Sequence, residues 1–329
     1  MVSNRWLCLF WTFALATLTQ RVVAEDGADV EGLALLAQRG VPSRHQPHRK
    51  AIRIPPIVLF NYKFNLLNAS KAQLKSDPMH KLVLKNVKHT IALFGGDVEQ
   101  VHFYDDDQCV KELKKLHQFN GHKLAEGFLS LRHGKYKSDI CRLAQLWRYG
   151  GYYFDTDILP VKSMRAYLDP DTTFASVRSM CKKEIFQAFL AATPHNELIG
   201  ENLRIFGEWL QKRQHNSEGS NIGPRLMWGS LQEMGSEFKK ASHVLTGSQK
   251  IQLFQENSIK LWKHGKESIS GLLPGHSKWH DCNIAVVDQD TDEVVMYPRV
   301  ISTMNDEACS EEKKLIVSFL EQPHSDEDS

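Results

Sequence analysis

Short apolar runs alternate with helix-like apolar spacings along the middle of the chain. Ile57 to Phe60 predicts a buried strand, and Val98 to Tyr104 predicts a second strand that stops at three consecutive aspartates. Cys109 to Phe119 then carries its apolar residues at near-helical spacing. The hydrophobic pattern therefore switches repeatedly between the strand period and the helix period.

The clearest helix prediction covers Ser138 to Tyr149, and Gly150-Gly151 closes it as glycines often close helices. Its apolar residues recur at the spacing i, i+3, i+4, i+7, namely Ile140, Leu143, Ala144 and Trp147. Tyr152 to Phe154 then predicts a strand that runs directly into Asp155-Thr156-Asp157. This order places a pair of carboxylates at the end of a predicted strand.

Further elements continue the alternation. Thr173 to Val177 predicts a strand, Asn196 to Arg213 predicts a long helix, and the runs Ile284 to Val287 and Glu293 to Met296 predict a hairpin. Strands that alternate with helices favour an α/β fold with a mostly parallel sheet covered on both faces. Ligands in such sheets bind at the carboxyl ends of the strands.

The N-terminus differs from the rest of the chain. Trp6 to Leu18 is apolar and follows Arg5, which is typical of a signal peptide with a cut after Ala24. A short signal anchor and a non-targeting apolar start are the alternatives. We expect a signal peptide or anchor over residues 1–24, a stem over 25–50, a folded domain over 51–318 and an acidic disordered tail over 319–329.

Composition narrows the function only a little. The chain has 329 residues, 24% of them charged, and a formal net charge of +2, so nothing indicates a nucleic-acid partner. We expect the secretory pathway, in the Golgi or endoplasmic reticulum lumen or secreted, where Asn68 in Asn68-Ala69-Ser70 is a glycosylation acceptor. Membrane attachment through the N-terminus is part of that prediction.

The cysteines indicate disulfides and argue against a zinc site. No C-x-x-C pair occurs among the six cysteines. With Cys8 left out, an oxidising lumen allows up to two disulfides and leaves one odd thiol. The sequence does not say which residues pair.

Asp155 and Asp157 lie two residues apart in apolar surroundings. In an extended segment they point to the same side, where like charges repel unless a cation offsets them. Carboxylate oxygens favour Mg²⁺ or Mn²⁺ over zinc. A surface turn is the simpler alternative for an isolated Asp-x-Asp.

Asp139 and Arg142 lie three residues apart, on the helix predicted just before that pair. Residues at this spacing are neighbours on a helix face, so a solvated ion pair is one interpretation. Together with the metal site they also suit a ligand that carries a diphosphate and several hydroxyls, because Asp accepts from hydroxyls and Arg donates to oxygens.

The string KSDICRLAQLWRYGGYYFDTDILP resembles the S-D-x-x-R … G-G-x-Y-x-D-x-D segment of a family of retaining glycosyltransferases. That family includes fungal α-1,6-mannosyltransferases and α-1,4-galactosyltransferases, and the clostridial glucosylating toxin domains look related. The resemblance implies the GT-A fold, a Rossmann-like fold of nucleotide-sugar transferases. It also implies a UDP- or GDP-hexose donor, a divalent metal (Mn²⁺ or Mg²⁺), and a glycan, glycoprotein or glycolipid acceptor.

The resemblance also implies roles for individual residues. Asp139 and Arg142 would hold the donor sugar hydroxyls, and Tyr153 would line the donor pocket. Asp155 would contact the ribose or the sugar and help to bind the metal, and Asp157 would ligate the metal. No catalytic nucleophile is evident.

More distant segments resemble the same family at fewer positions. IPPIVLFNYKF is similar to its opening strand and makes Tyr62 a candidate for stacking on the nucleotide base. SNIGPRLMW is similar to a T-G-P turn at Gly223 and Pro224. In GHSKWHD, the resemblance implies that His276 completes the metal site and that Ser277 and Trp279 touch the diphosphate, with ordinary loop packing as the alternative.

Two other function classes fit parts of the pattern. A haloacid-dehalogenase-type phosphatase also ends a strand in Asp-x-Asp, but it wants Thr or Val where this chain has Leu159. A non-catalytic sugar- or metal-binding module would keep the carboxylates and lack turnover. The sequence favours a metal-dependent hexosyltransferase over both.

Overall fold

The computed structural model describes residues 52–95, 100–180, 183–212, 221–235, 242–258, 284–298, 300, 304 and 309–321. Ten strands of these residues form one sheet. They are β1 (Ile57–Asn61), β2 (Gln100–Tyr104), β3 (Gly151–Phe154), β4 (Leu159–Pro160), β5 (Phe174–Arg178), β6 (Ile185–Ala192), β7 (His243–Thr246), β8 (Gln249–Ser258), β9 (Ile284–Val287) and β10 (Val294–Tyr297).

Helices cover both faces of this sheet. Among the described residues they are α1 (Lys71–Lys75), α2 (Pro78–Ala92), α3 (Asp106–Lys114), α4 (Gly121–Ser130), α5 (Gly134–Tyr149), α6 (Glu197–Lys212), α7 (Ile222–Met234) and α8 (Ser310–Leu320). Residues of α3 to α7 pack on one face, and residues of α2 pack on the other. The α/β prediction is confirmed, as are the helix before Gly150, the strand after it and the hairpin of β9 and β10, whereas the GT-A assignment stays a prediction.

The strand order is β2-β1-β3-β6-β5-β8-β9-β10-β4, with β7 paired to β8. β1 pairs in parallel with β2 and β3, and β5 pairs in parallel with β8. The sheet as a whole is mixed, because β6 runs antiparallel between β3 and β5. The connection from β5 to β6 is short, and a short connection between neighbouring strands makes a hairpin.

The central strands are buried on both faces. Val58 and Phe60 of β1 pack with Tyr152 and Phe154 of β3 in one core, whereas Tyr153 belongs to the core on the opposite face. A strand buried on both sides reads as a continuous apolar run, which is why GYYF shows no alternation.

The junction of α5 and β3 depends on its two glycines. Gly150 caps α5 with φ 64°, and Gly151 follows with φ 101°. A Cβ atom at Gly151 would lie 2.4 Å from the carbonyl oxygen of Ile57 on the neighbouring strand. Glycine therefore allows both the left-handed turn and the close approach to β1.

One disulfide joins Cys109 of α3 to Cys141 of α5, and Cys309 is disulfide-bonded as well. The first bridge ties the helix after β2 to the helix before β3.

Among the described residues no helix is both long enough and apolar enough to cross a membrane. The apolar Trp6 to Leu18 run lies outside the described residues.

Candidate functional site

A cavity of about 620 Å³ opens at one edge of the sheet. The pairings make β1, β2, β3, β5 and β8 run in the same direction, so their carboxyl ends meet at that edge. Residues at or just after these ends line the cavity, namely Asn61, Tyr104, Asp155, Ser179 and Glu256. A cavity of this volume is within the usual range for small-molecule sites.

The carboxylate pair lies in a turn after β3. The backbone N–H of Ile158 donates to the carbonyl oxygen of Asp155 at 3.1 Å, so the expectation of an extended segment is wrong. Asp155 is fixed to β6, because its N–H donates to the carbonyl oxygen of Ala188 at 2.8 Å. The carbonyl oxygen of Asp157 accepts from the N–H of Val300 at 2.9 Å. The turn therefore holds both aspartates while their carboxylates stay partly exposed.

Arg142 is the central cation of the site. It is only 3% exposed, and its Nη2 lies 3.2 Å from Asp139 Oδ1 and 3.2 Å from Asp155 Oδ1. Nη1 donates to the carbonyl oxygen of Gln187, and Nε donates to the carbonyl oxygen of Ser138 at 3.1 Å. The guanidinium thus connects α5, β6 and the turn after β3.

Arg142 keeps its charge despite its burial. Burial is the largest single influence and acts to lower the pKa of the guanidinium, but Asp155, Tyr153, Asp139 and Asp157 together outweigh it. The net result is a raised pKa.

Tyr153 lies under this cluster. Its hydroxyl donates to Asp155 Oδ1 at 2.5 Å and lies 3.0 Å from Ser138 Oγ, and its ring centre is 4.5 Å from the guanidinium carbon of Arg142. Burial raises the pKa of Tyr153 well above its usual range, so the hydroxyl remains a donor. The side chain is fully buried, so the expectation that Tyr153 lines the pocket is wrong: it orients Asp155 and Arg142 from below.

Asp139 is buried as well, so its pair with Arg142 is not a solvated surface pair. Burial raises the pKa of Asp139 to about 6, against the opposing effect of Arg142, and the charge of Asp155 raises it further. The backbone of Gly223 hydrogen-bonds to the carboxylate, and a Cβ at that position would lie 2.3 Å from Asp139 Oδ2. Gly223 and Pro224 lie in the first turn of α7, so the predicted turn is wrong there.

Tyr62 follows β1 and lines the cavity. Its backbone N–H donates to the carbonyl oxygen of Tyr104 at 3.0 Å, and its ring meets Phe64 and His80 edge-on. Burial raises the pKa of Tyr62, and Asp77 and Asp157 raise it further. Four basic residues also line the cavity, namely Lys63, Arg132, Lys135 and Lys137.

The turn after β3 supplies two carboxylates, those of Asp155 and Asp157, as candidate ligands of a metal ion. Asp155 Oδ1 is engaged by Tyr153 and Arg142, and the charge of Asp157 acts on both Arg142 and Tyr62. No group of three or more His, Cys, Asp or Glu side chains is placed to hold a metal within the described part of the chain. Mg²⁺ commonly takes one or two carboxylates and completes its shell with phosphate oxygens and water.

Some predicted residues cannot be compared with the structure. His276, Ser277 and Trp279 lie outside the described residues. Asn68 is exposed in a short 3₁₀ helix, Leu66–Asn68, so its side chain is accessible, and its glycosylation stays a prediction.

Residues 62–176 match the family model described as "Glycosyltransferase sugar-binding region containing DXD motif". The match supports the resemblance to DXD glycosyltransferases in general, and it includes Asp139, Arg142 and the turn after β3, whereas Gln187 lies beyond it. The narrower branch of α-1,4-galactosyltransferases and α-1,6-mannosyltransferases stays a prediction.

One similar solved structure is described as "PaToxG Glycosyltransferase". It is 16% identical with a TM-score of 0.38, and the alignment covers 55% of this chain and 70% of that one. No curated protein matches the chain.

The structure adds residues that sequence reasoning did not single out. Ser138 stands in the matched motif next to Asp139, so the motif itself could have pointed to its role. Gln187 contributes the carbonyl oxygen that Arg142 binds, and no local pattern in β6 marks it. Glu184 and Glu256 reach the cavity from segments without any motif.

Proposed function

We propose that residues 51–318 form a metal-dependent glycosyltransferase domain that moves a hexose from a nucleotide sugar to a glycan, protein or lipid acceptor. The observation that carries this proposal is the buried Arg142, which binds both Asp139 and Asp155 at the wall of a cavity beside the Asp-x-Asp turn. The match of residues 62–176 to a glycosyltransferase sugar-binding region supports it.

The donor sugar would bind against Asp139, Arg142 and Asp155. Carboxylates accept hydrogen bonds from sugar hydroxyls, and a guanidinium donates to sugar or phosphate oxygens. Because Arg142 and Tyr153 already hold Asp155 in place, little ordering would be needed on binding. This is the arrangement that selects a polyhydroxylated ligand.

The diphosphate would lie between the turn after β3 and the basic residues that line the cavity. Lys63, Arg132 and Lys135 supply positive charge there, and Tyr62 offers an aromatic face for the base. When bound at Asp155 and Asp157, Mn²⁺ or Mg²⁺ would neutralise charge on the leaving diphosphate. The side chains of this chain would hold the donor and keep its anomeric carbon facing the acceptor.

Retention of configuration is part of the proposal and rests on the family resemblance alone. It is checked by proton NMR of the first-formed product, in which the anomeric coupling should match that of the donor. An inverted product would remove this chain from the retaining group without affecting the transferase proposal.

The secretory location belongs to the proposal too. The apolar Trp6 to Leu18 run supports it, and an exposed Asn68 is accessible to glycosylation. The full chain expressed in animal cells should enter the endoplasmic reticulum, and an N-glycosidase should lower its mass. A cytosolic protein of unchanged mass would contradict this.

Donor hydrolysis tests the transferase proposal before any acceptor is known. Wild-type protein with Mn²⁺ should release nucleotide from at least one member of a panel of UDP- and GDP-sugars. Arg142→Ala should lower this rate by about 10²-fold or more, because it removes charged hydrogen bonds and their orientation. Arg142→Lys keeps the charge and loses the two-pronged geometry, so it should also lose most of the rate.

Arg204→Ala is the matched control. Arg204 is an exposed arginine on α6 that pairs with Glu201 and Glu208, and surface pairs of this kind contribute little. It should hydrolyse donor at the wild-type rate. Full activity in Arg142→Ala, or no hydrolysis of any donor by folded wild-type protein, would overturn the proposal.

A further inference from the structure

The far end of the cavity contains a buried carboxylate that the donor site does not use. Glu256 of β8 lines the cavity although it is only 2% exposed. Its Oε2 accepts from Ser179 Oγ at 3.0 Å and from the backbone N–H of Met180 at 3.1 Å. Its Oε1 has no hydrogen-bond partner among the residues that the structure describes.

A buried oxygen of this kind is costly if nothing donates to it. A carboxylate removed from water loses far more solvation than a neutral group does. Glu256 is nevertheless held in one orientation by two hydrogen bonds to Oε2, and the residue lines the cavity. A donor group supplied by a ligand would satisfy that oxygen.

A second buried acceptor lines the same cavity. Gln187 is 4% exposed, its Nε2 donates to the carbonyl oxygen of Gly223 at 3.3 Å, and its Oε1 lacks a partner within the described part of the chain. Glu184, by contrast, is satisfied by Asn221 and Arg225. Between Asp155 and Glu256 the cavity therefore presents unpartnered acceptor oxygens on β6 and β8, and these suit a ligand rich in donors.

The sheet places Glu256 well away from the Asp-x-Asp turn. Asp155 follows β3, and β6 and β5 lie between β3 and β8. Three steps of the strand spacing separate the two positions by about 14 Å. One pyranose ring that binds Asp155 does not reach Glu256, so the two carboxylates serve different groups.

We propose that Glu256, oriented by Ser179 and assisted by Gln187, forms the subsite for a neutral sugar of the acceptor. This inference rests on the proposed glycosyltransferase function. Hydroxyl groups of the acceptor donate to Glu256 Oε1 and Gln187 Oε1. Because Glu184 and Glu256 are both buried carboxylates at this end, the subsite disfavours phosphate, sulfate or carboxylate groups on the acceptor.

Saturation-transfer NMR tests this subsite without knowledge of the natural acceptor. The full chain with Mn²⁺ and UDP is mixed in turn with lactose, maltose, methyl α-D-mannopyranoside and the anionic 3′-sialyllactose. At least one neutral sugar should give saturation transfer, and sialyllactose should give less. Glu256→Gln should weaken the neutral sugar by about tenfold or more, as expected for loss of a hydrogen bond to a charged group.

Two further variants locate the signal. Glu293→Gln changes an exposed carboxylate paired with Lys162, and it should bind sugar like the wild type. Asp107→Asn changes an exposed carboxylate outside the cavity and should also leave this signal unchanged. The proposal is overturned if no neutral sugar binds, if Glu256→Gln binds as the wild type does, or if the signal is lost in Glu293→Gln or Asp107→Asn as well.

The outcomes also separate this inference from the transferase proposal. Loss of the sugar signal with intact donor hydrolysis would overturn the acceptor subsite alone. A Glu256-dependent sugar signal in a protein that neither binds nor hydrolyses any nucleotide sugar would overturn the transferase proposal and, with it, the assignment of this sugar to an acceptor.

Discussion

Arg142 is a buried charged residue. It binds a carboxylate on its own helix, a carboxylate after β3 and a carbonyl oxygen of β6. A buried charge is tolerated only when it is paired and hydrogen-bonded. Each of these partners is therefore also a constraint on the position of the guanidinium. The proposed donor site is organised by this residue and by Tyr153 beneath it.

Tyr153→Phe isolates the orienting role of the buried hydroxyl. The change keeps the ring under Arg142 and removes the bonds to Asp155 and Ser138. We expect donor hydrolysis to fall about tenfold while the fold is kept, since one hydrogen bond to a charged group is lost. Hydrolysis rates with circular dichroism as the fold check measure this, and an unchanged rate would show that the hydroxyl does not orient Asp155.

The pH dependence of stability reports the burial of Asp139. Its pKa is about 6 in the folded protein against an ordinary value of 3.8. Between these values the folded chain keeps a proton that the unfolded chain releases, so this group's contribution to the free energy of unfolding falls as pH rises. The loss should amount to about 3 kcal/mol between pH 4 and 6 and should level off above that range.

Asp139→Asn should remove that slope because asparagine does not titrate. Urea unfolding of both proteins at pH 4, 5, 6 and 7, in the presence of EDTA, measures the difference. The stability of the variant relative to the wild type should rise across the interval. Parallel pH profiles would mean that Asp139 has an ordinary pKa in the fold.

At the scale of elements, the segment from α5 to the Asp-x-Asp turn could be predicted from the sequence. The apolar stripe of α5, the glycines and the run of β3 are all local signals. β6 and β8 could not be predicted in the same way, because their register is set by pairing across the sheet. Glu256 follows from that pairing, so its place at the cavity was invisible in the sequence.

The same limit applies to the start of α7 and to the disulfide. Gly223-Pro224 looks like a turn, but proline is also favoured in the first turn of a helix, and the close contact with Asp139 explains the glycine. Cys109 and Cys141 meet because α3 and α5 pack side by side. The glycine at the start of α7 and the disulfide are both explained by contacts between segments that are distant in the sequence.

Gly151→Ala tests the junction between α5 and β3. The residue has φ 101°, and the added methyl group would meet the backbone of β1 at 2.4 Å. We expect a loss of about 3 kcal/mol in the free energy of unfolding, from backbone strain and overpacking together. Gly229→Ala on α7 is the control, because nothing lies within 4 Å of its Cβ position, and it should be neutral or slightly stabilising. Equal effects in denaturant unfolding would contradict this description of the junction.

At the scale of the whole molecule, the common direction of five strands brings distant segments to one edge. The alternation of strands and helices predicts that edge as the place for a ligand, and the structure places the cavity there. What the sequence could not predict is the mixed sheet, in which the antiparallel β6 carries Gln187 into the site. The proposed donor site and the proposed acceptor subsite therefore lie at different places in one cavity.

The central claim is that the Asp-x-Asp turn binds a divalent metal together with a nucleotide diphosphate. Thermal melts of the wild type and of Asp157→Asn, with and without Mn²⁺ plus UDP or GDP, test it most directly. Asp107→Asn, which changes an exposed carboxylate outside the cavity, is the control.

Wild type and Asp107→Asn should be stabilised by about 2.7 kcal/mol when metal and nucleotide are at a hundredfold excess over Kd. Asp157→Asn should keep the fold and lose this metal-dependent gain, because one carboxylate charge is removed with little change in volume. A wild-type protein that neither nucleotide stabilises, or an Asp157→Asn protein that keeps the full gain, would contradict the account.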